Sequence, residues 1–453
     1  MSKTRADMTK GTQLPRFKAY PKYKDSGVEW LGEIPAQWNV QRADTFLSYD
    51  KVQMDPSKCT ADLVFYYSIP AIQETGNGVI ESPAEIDSSK LEIRTDCVLV
   101  SKLNPRKGVV IIAHPHDIPT ICSTEFVPFE TNGCDLHWAF YLFLAESTRQ
   151  RISAAVRSAT RSHQRAEISD ITKIWHGVPT VAEQRSIATF LDRETARIDA
   201  LVAKREKVIE LLQEKRTALI TRAVTKGLDP NVPMKDSGVE WLGEIPTHWA
   251  AKKMWRISTA ISGGTPAKDE RGYWDGDVPW VSPKDMKRRF IQSSADTITE
   301  RALRETGIKL IAPPVVLIVV RGMILAHTFP VAITTVPVTI NQDMKALQLA
   351  PDVASLFLAW YFDGLGKGIL GAVVEEASHG TRVIRMDEWR SVVVALPPIE
   401  EQNAIVAYLD AEVARIDAIV AKIRASIGHL KEFRTAIISA AVTGKIDVRK
   451  EAA

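Results

Sequence analysis

Only four cysteines occur in 453 residues, Cys59, Cys97, Cys122 and Cys134, all in the first half and none in a CxxC pair. That argues against a disulfide framework and a zinc ribbon and leaves inert thiols. Long hydrophobic runs are equally scarce: Val315-Val316-Leu317-Ile318-Val319-Val320, for one, has the length of a strand and is far too short to span a membrane. Met1 to Lys24 is basic and holds no signal-peptide core, so a cytoplasmic chain with no membrane partner is expected. No charge dominates. Lys and Arg total 58 against 55 acids, a formal net charge of +3, too small by itself to announce nucleic-acid binding.

Catalytic motifs are missing too. The Pro-Pro pairs, Pro313-Pro314 and Pro397-Pro398, follow Ala312 and Leu396, not the Asn or Asp of an adenine methyltransferase's base-holding loop. Gly364, Gly366 and Gly368 match a cofactor-binding turn only weakly, Pro351-Asp352 has no nuclease (Asp/Glu)-x-Lys triplet after it, and no Walker lysine follows a phosphate loop. A chain without a catalytic centre is expected. Its 45% apolar content is nevertheless ample for real cores, in roughly two to four domains by length.

What is present is a duplication. Lys24-Asp25-Ser26-Gly27-Val28-Glu29-Trp30-Leu31-Gly32-Glu33-Ile34-Pro35 recurs letter for letter from Lys235 to Pro246, an offset of 235 − 24 = 211, and Trp38 or Trp249 follows each copy. A second repeat links Glu183-Gln184 to Glu401-Gln402, Ala196-Arg197-Ile198-Asp199-Ala200 to Ala414-Arg415-Ile416-Asp417-Ala418, and Ala223-Val224-Thr225 to Ala441-Val442-Thr443, an offset of 401 − 183 = 218. Between the repeats the two halves differ sharply. A repeated frame with dissimilar fillings suits a protein that docks one kind of partner twice while reading two different things.

Residues 181 to 222 place Ile187, Leu191, Ile198, Leu201, Val208, Leu212 and Leu219 at heptad spacing, interrupted at the seam by Glu194, Arg205 and Lys215. The second copy supplies Ile405, Leu409, Ile416, Ile419, Ile423, Leu430, Phe433 and Ile437, with Glu412 matching Glu194. Each is a helix of about forty residues, on the order of 60 Å long. Thr180 and Glu183 form a capping-box start, Pro397-Pro398 precedes the second helix, and Gly227 and Gly444 stand at the stops, while Gly428 is a candidate bend. A helix that long has too few local partners, so the two pack on each other as an antiparallel intramolecular coiled coil. Its polar faces are either merely solvated or a docking surface.

In the second half, Ser262-Gly263-Gly264-Thr265-Pro266, Tyr273-Trp274, Val278-Pro279-Trp280-Val281-Ser282, Asp285-Met286, Ile298-Thr299, Arg321-Gly322, Ile340-Asn341-Gln342-Asp343 and Lys345-Ala346-Leu347 appear in that order. This closely resembles the target-recognition domain of type I restriction-modification specificity subunits. The first half carries another version, with Tyr67-Ser68-Ile69-Pro70-Ala71, Ser88-Ser89-Lys90 and Val100-Ser101-Lys102-Leu103-Asn104-Pro105-Arg106. The helical segments, with their Pro-x-x-Glu-Gln start and Val-Thr-Gly-Lys finish, look like the family's two conserved regions; Val224-Thr225-Lys226-Gly227 inverts the last pair.

The resemblance implies an α/β (α+β) fold: two globular target-recognition domains separated by two long antiparallel coiled-coil helices, in a pseudo-two-fold tandem duplication. The expected divisions are a basic N-terminal segment at 1 to 23, the first recognition domain at 24 to 177 and the first spacer helix at 178 to 228. The second recognition domain follows at 229 to 395, with the repeated opening motif at 235 to 249, and the second helix at 396 to 449. It further implies a non-catalytic subunit whose two variable domains each bind one half of a bipartite double-stranded DNA target. Two methyltransferase (M) subunits using S-adenosylmethionine, and restriction (R) subunits using ATP and magnesium, would be its partners, with no cofactor on this chain.

Strand-like runs at Cys97 to Ser101, Val109 to Ala113, Val315 to Val320 and Val392 to Leu396 predict mixed domains whose loops carry function. Phosphates draw Lys and Arg, whereas Arg, Asn and Gln read base edges. On that ground Lys102, Asn104, Arg106 and Lys107 form one group of candidate DNA contacts. Thr160-Arg161 and Thr381-Arg382 form another, at equivalent places shortly before each helix (an offset of 381 − 160 = 221), and Arg165, Gly264, Thr265, Lys284, Arg321 and Arg385 complete the set. For each the alternative is a surface charge or, for Gly264, a turn. The clusters Arg149, Arg151, Arg157, Arg161, Arg165 and Lys284, Lys287, Arg288, Arg289 are either phosphate-binding patches or solvated helix faces. The repeated tryptophans Trp30/Trp241 and Trp38/Trp249 read as core or interface residues, not base-stacking ones, and His114-x-His116 as a loop.

Overall fold

A computed structural model describes residues 17 to 156, 164 to 377 and 380 to 451. The chain divides into two units, one containing the residues up to Arg205 together with those from Arg424, the other Glu206 to Ile423. The long helices are Val181–Lys226 and Ile399–Val442, and each contributes one part to each unit.

In the first unit the central antiparallel sheet has the order Val110–Ala113, Cys97–Ser101, Phe126–Thr131, Leu47–Ser48. Its strand Cys97–Ser101 is buried throughout because both faces are covered. Val98 and Val100 meet Phe129, Trp138 and Phe143 on one side, while Cys97 and Leu99 meet Tyr67, Ile93 and Cys122 on the other. The second unit repeats this order with Val331–Thr334, Val316–Val319, Met344–Leu349 and Ser258–Ser262, although its sequence differs. Val316 and Ile318 face Phe357 and Ile369, while Leu317 faces Val281 and Ile340, which accounts for the unbroken apolar run from Val315 to Val320. Helix Ser355–Val373 is long and apolar enough to cross a membrane by length and composition, but it carries Phe357, Leu358, Phe362 and Ile369 into the core of this unit.

Within the first unit Arg434 Nε donates to Asp199 Oδ1 at 3.0 Å and the Arg205 guanidinium to the Ser426 hydroxyl; within the second, Arg216 pairs with Asp417 at 3.6 Å. As one number rises its partner's falls, so the helices run antiparallel in both units. Asp199 and Asp417 are related by the offset of the second repeat, as are Arg216 and Arg434 (417 − 199 = 434 − 216 = 218), so the two ion pairs are one contact made twice.

The seam differs from the one expected. Two heptad phases share Ile198, Arg205, Leu212 and Leu219. One adds Leu201, Val208 and Lys215, the other Val202, Ile209 and Arg216. The helix buries the second phase: Leu201 and Val208 are 38% and 44% exposed, whereas Val202 is 9% exposed. Arginines suit such a seam because the stem can bury while the head reaches Ser426 or Asp417. On the second helix Val420 is buried and Ile419 exposed for the same reason. That helix continues unbroken through Gly428.

The repeated motifs fasten the helices to the domains. Gln184 Nε2 donates to the Pro179 carbonyl at 2.9 Å while its Oε1 accepts from the Asp135 amide at 2.7 Å. Gln402 does the same with Pro397 at 2.9 Å and the Ala354 amide at 2.8 Å, and also donates to the Asp352 carbonyl at 2.8 Å. Thr180 caps the Glu183 amide at 3.4 Å, but the Glu183 carboxylate is drawn away from the expected box by Tyr20 (2.8 Å) and Trp38 Nε1 (3.1 Å). Gly444 ends the second helix at φ +74, with Pro35 and Trp38 packed so closely that an added Cβ would lie 2.4 Å from Pro35 Cδ.

Trp38 and Trp249 are fully buried, whereas Trp30 is half-buried and Trp241 is 37% exposed. His176 lies wholly within the first unit, edge-on to Trp30, Phe46 and Phe143, and its Nε2 has no hydrogen-bond partner among the described residues. Burial alone pushes its pKa down to about 3.

Candidate nucleic-acid interface

The chain leaves the strand Cys97–Ser101 at Lys102 and is held there by backbone. The Lys102 amide donates to the Glu125 carbonyl (2.8 Å), the Lys102 carbonyl accepts from Ala166 (3.0 Å), and the Asn104 amide donates to the Gln164 carbonyl (2.7 Å). Asn104 takes φ +50, a left-handed conformation that asparagine tolerates, and starts a tight turn, Pro105–Lys107, that leaves Arg106 and Lys107 exposed. Arg149 packs beneath it, so that a Cβ on Gly108 would fall 2.4 Å from its Cδ. Arg165 pairs with Glu125 at 2.8 Å. Burial holds the Lys102 ammonium below the usual lysine range, with Glu125 opposing and Arg165 reinforcing the shift. Lys102, Asn104, Arg106, Lys107 and Arg165 thus belong to one loop system, whereas Thr160 and Arg161 lie outside the described residues, with Arg157.

The second unit repeats the mount. The Val320 amide donates to the Asp343 carbonyl (2.8 Å), the Ile384 amide to the Val320 carbonyl (2.9 Å), and the Gly322 amide to the Arg382 carbonyl (2.9 Å). These pair with Lys102, Glu125, Ala166, Asn104 and Gln164 at one offset, since 320 − 102, 343 − 125, 384 − 166, 322 − 104 and 382 − 164 all equal 218. The counterpart of Arg382 is therefore Gln164, and the expected match of Thr381-Arg382 to Thr160-Arg161 is corrected: the backbone bonds, which ignore side-chain identity, set the alignment.

Arg321 is exposed, and Arg382 reaches Glu376 at 3.6 Å across the hairpin beside Thr381. Arg385 precedes the short helix Met386–Ser391, where it bonds the Ala372 carbonyl (3.2 Å) and Glu388 (3.5 Å). Gly264, Thr265 and Lys284 fall elsewhere in the unit; Thr265 and Lys284 line a cleft of about 580 Å³ together with Lys268, Trp274, Trp280 and Gln342, and Gly264 adjoins it through its bond to Trp280. The cleft's geometry depends on glycine: a Cβ on Gly263 would sit 2.1 Å from the Ile340 carbonyl oxygen. Trp280 Nε1 donates to the Gly264 carbonyl (2.9 Å), the Thr265 hydroxyl to Gln342 Oε1, and Lys284 to Asp296 (3.1 Å). Gln342 and Lys268 are additions to the expected set. The Asn341-Gln342-Asp343 motif could have pointed to the first, because Asn341 is consumed in bonding Asp343 (3.1 and 3.3 Å) and leaves its neighbour exposed.

Of the basic run, Arg289 is structural, paired with Asp363 and lying 4.1 Å over the Trp360 ring, while Lys287 and Arg288 are exposed. His114 bonds Asp96 at 2.9 Å and His116 stacks on Phe65 at 3.7 Å, so the two rings are engaged separately.

Residues 246 to 429 match the family model described as the type I restriction modification DNA specificity domain. The specificity subunit of the type I restriction enzyme EcoR124I/EcoR124II from Escherichia coli is 32% identical over 262 residues, 56% of this chain and 59% of that subunit, so the match spans little more than half of the relative's length. Two solved chains are similar in fold. One, from a type I R-M system, covers 90% of this chain and 98% of its own with a TM-score of 0.73 at 18% identity. The other, the HsdS subunit from Thermoanaerobacter tengcongensis, covers 91% and 98% with a TM-score of 0.55 at 19% identity. Residues 246 to 429 thus match the type I restriction modification DNA specificity domain, and the chain as a whole is similar in fold to the two solved chains.

Proposed function

We propose that this chain is the cytoplasmic, non-catalytic DNA-reading subunit of a type I restriction-modification complex, each unit binding one half of a bipartite duplex target. The observation that carries the reading is the repeated mount. The same backbone bonds recur at the offset of the second repeat, yet one copy presents Lys102, Arg106, Lys107 and Arg165 and the other Arg321, Thr381 and Arg382. Cations on loops neutralise phosphates wherever the sequence lies, and differing tips on one frame let two half-targets be chosen independently. The cleft with Thr265, Lys268, Lys284 and Gln342 adds polar groups suited to base edges.

In this reading the antiparallel helices set the gap between half-targets, on the order of one to two duplex turns, and their outer faces receive two methyltransferase subunits and the restriction subunits. S-adenosylmethionine, ATP and magnesium belong to those partners. The test replaces residues 40 to 177 with the corresponding region of another family member and maps methylated positions in a host carrying the whole system. One half of the motif should change. A change in both halves, or in neither, refutes the assignment, as does methyl transfer by the purified chain alone.

A further inference from the structure

The loop after Arg321 carries a feature that phosphate binding does not use. Met323 is 69% exposed and Ile324 42%, two adjacent large apolar side chains projecting from one short turn, Met323–Ala326. The turn is rigidly founded. Leu325 is buried in the core at 2% exposure, the Gly322 amide bonds the Arg382 carbonyl, and the His327 and Thr328 amides both return to the Ile324 carbonyl at 3.1 Å. Gly322 adopts φ +147, closed to other residues, to aim the turn. Exposed Arg321 immediately precedes the pair, so the apolar tip stands beside a cation; Arg382 holds the turn through its backbone carbonyl, with its guanidinium paired to Glu376.

At the same point of the repeat the first unit mounts Arg106 and Lys107 on Pro105–Lys107. The mount is shared and the chemistry of the tip is exchanged. The exposed Arg321 guanidinium beside the tip suits a polyanion's phosphate, and the apolar group that a DNA duplex offers at a sequence-dependent place in its major groove is the C5-methyl of thymine. We propose that Met323 and Ile324 form an apolar reading tip that contacts thymine methyl groups in the half-target bound by the second unit. The proposal rests on the reading that this unit binds DNA.

The experiment uses the complex assembled with its methyltransferase subunits and duplexes carrying the motif mapped from host methylation. Each thymine of the second unit's half-target is replaced in turn by uracil, which removes only the methyl. At one or two positions uracil should weaken binding about fourfold, the worth of one buried methyl. Combined Met323→Ala and Ile324→Ala substitution should abolish that sensitivity, and the size-conserving pair Met323→Gln with Ile324→Thr should do the same. A half-target without an A·T pair, a parent complex indifferent to uracil throughout it, or variants as sensitive as the parent would overturn the proposal. So would 2-aminopurine fluorescence that rises at a step where uracil has no effect, since that marks a wedge between bases. Failure of the parent complex to bind the duplex at all would instead refute the DNA-reading function beneath it.

Discussion

Replacing His176 with valine, the residue the second repeat carries as Val394 at 176 + 218, should remove an acid sensitivity from the first unit. His176 is completely buried among Trp30, Phe46 and Phe143 and is held neutral, with a pKa of about 3 in the fold. In the unfolded chain an imidazole titrates near 6.5. Because the folded value is the depressed one, the unfolded state binds the extra proton, so stability contributed by this site falls as pH drops below about 6.5 and stops falling near 3. Between the two values the slope approaches about 1.4 kcal/mol per pH unit, which puts the penalty at pH 5 at about 2 kcal/mol and at pH 7.5 near zero. The substitution leaves every other titrating group in place, so their contributions cancel in the difference between variant and parent. Urea unfolding of both chains at the two pH values measures it. The stability of His176→Val relative to the parent should rise by about 2 kcal/mol on going from pH 7.5 to pH 5. A difference that stays constant would show that the imidazole titrates in the fold as it does in the unfolded chain, one that falls would show it protonated in the native state, and either would refute the argument.

Other perturbations separate backbone effects from packing. Gly444→Ala meets both a positive φ and Pro35 at 2.4 Å, whereas Gly27→Ala meets a positive φ with nothing within 4 Å. Unfolding measurements should give about 1 kcal/mol for the second and several times that for the first. Gln402→Ala strands the Ala354 amide and the Asp352 and Pro397 carbonyls, and should cost about 3 kcal/mol in the same assay. Arg321→Ala should weaken DNA binding by the assembled complex and lower the slope of log affinity against log salt by about one if the guanidinium meets a phosphate; an unchanged slope would place it off the backbone.

Why the frame could be read from the sequence and the mount could not comes down to what each asks of a side chain. The opening motif packs Trp38 on Gly444 and hands an indole N–H to Glu183, and Gln184 and Gln402 each close several specific bonds, so these positions tolerate few residues and recur letter for letter. The heptads announced two long helices, yet two phases share Ile198, Arg205, Leu212 and Leu219, and only the partner helix, whose Asp417 pairs with Arg216, selects Arg216 and Val202 over Lys215 and Leu201. In the loops the structure rests on amides and carbonyls, which every residue but proline supplies alike, so Lys102 and Val320, or Gln164 and Arg382, are equivalent without resembling each other. One trace of the mount does survive in the letters. Asn104 and Gly322 both stand at positive φ, Asn104 at +50 where asparagine is tolerated and Gly322 at +147 where only glycine fits. A frame that constrains backbone and one φ, and nothing else, leaves the side chains around it free to vary, and that freedom is what a reader of two unlike half-targets requires.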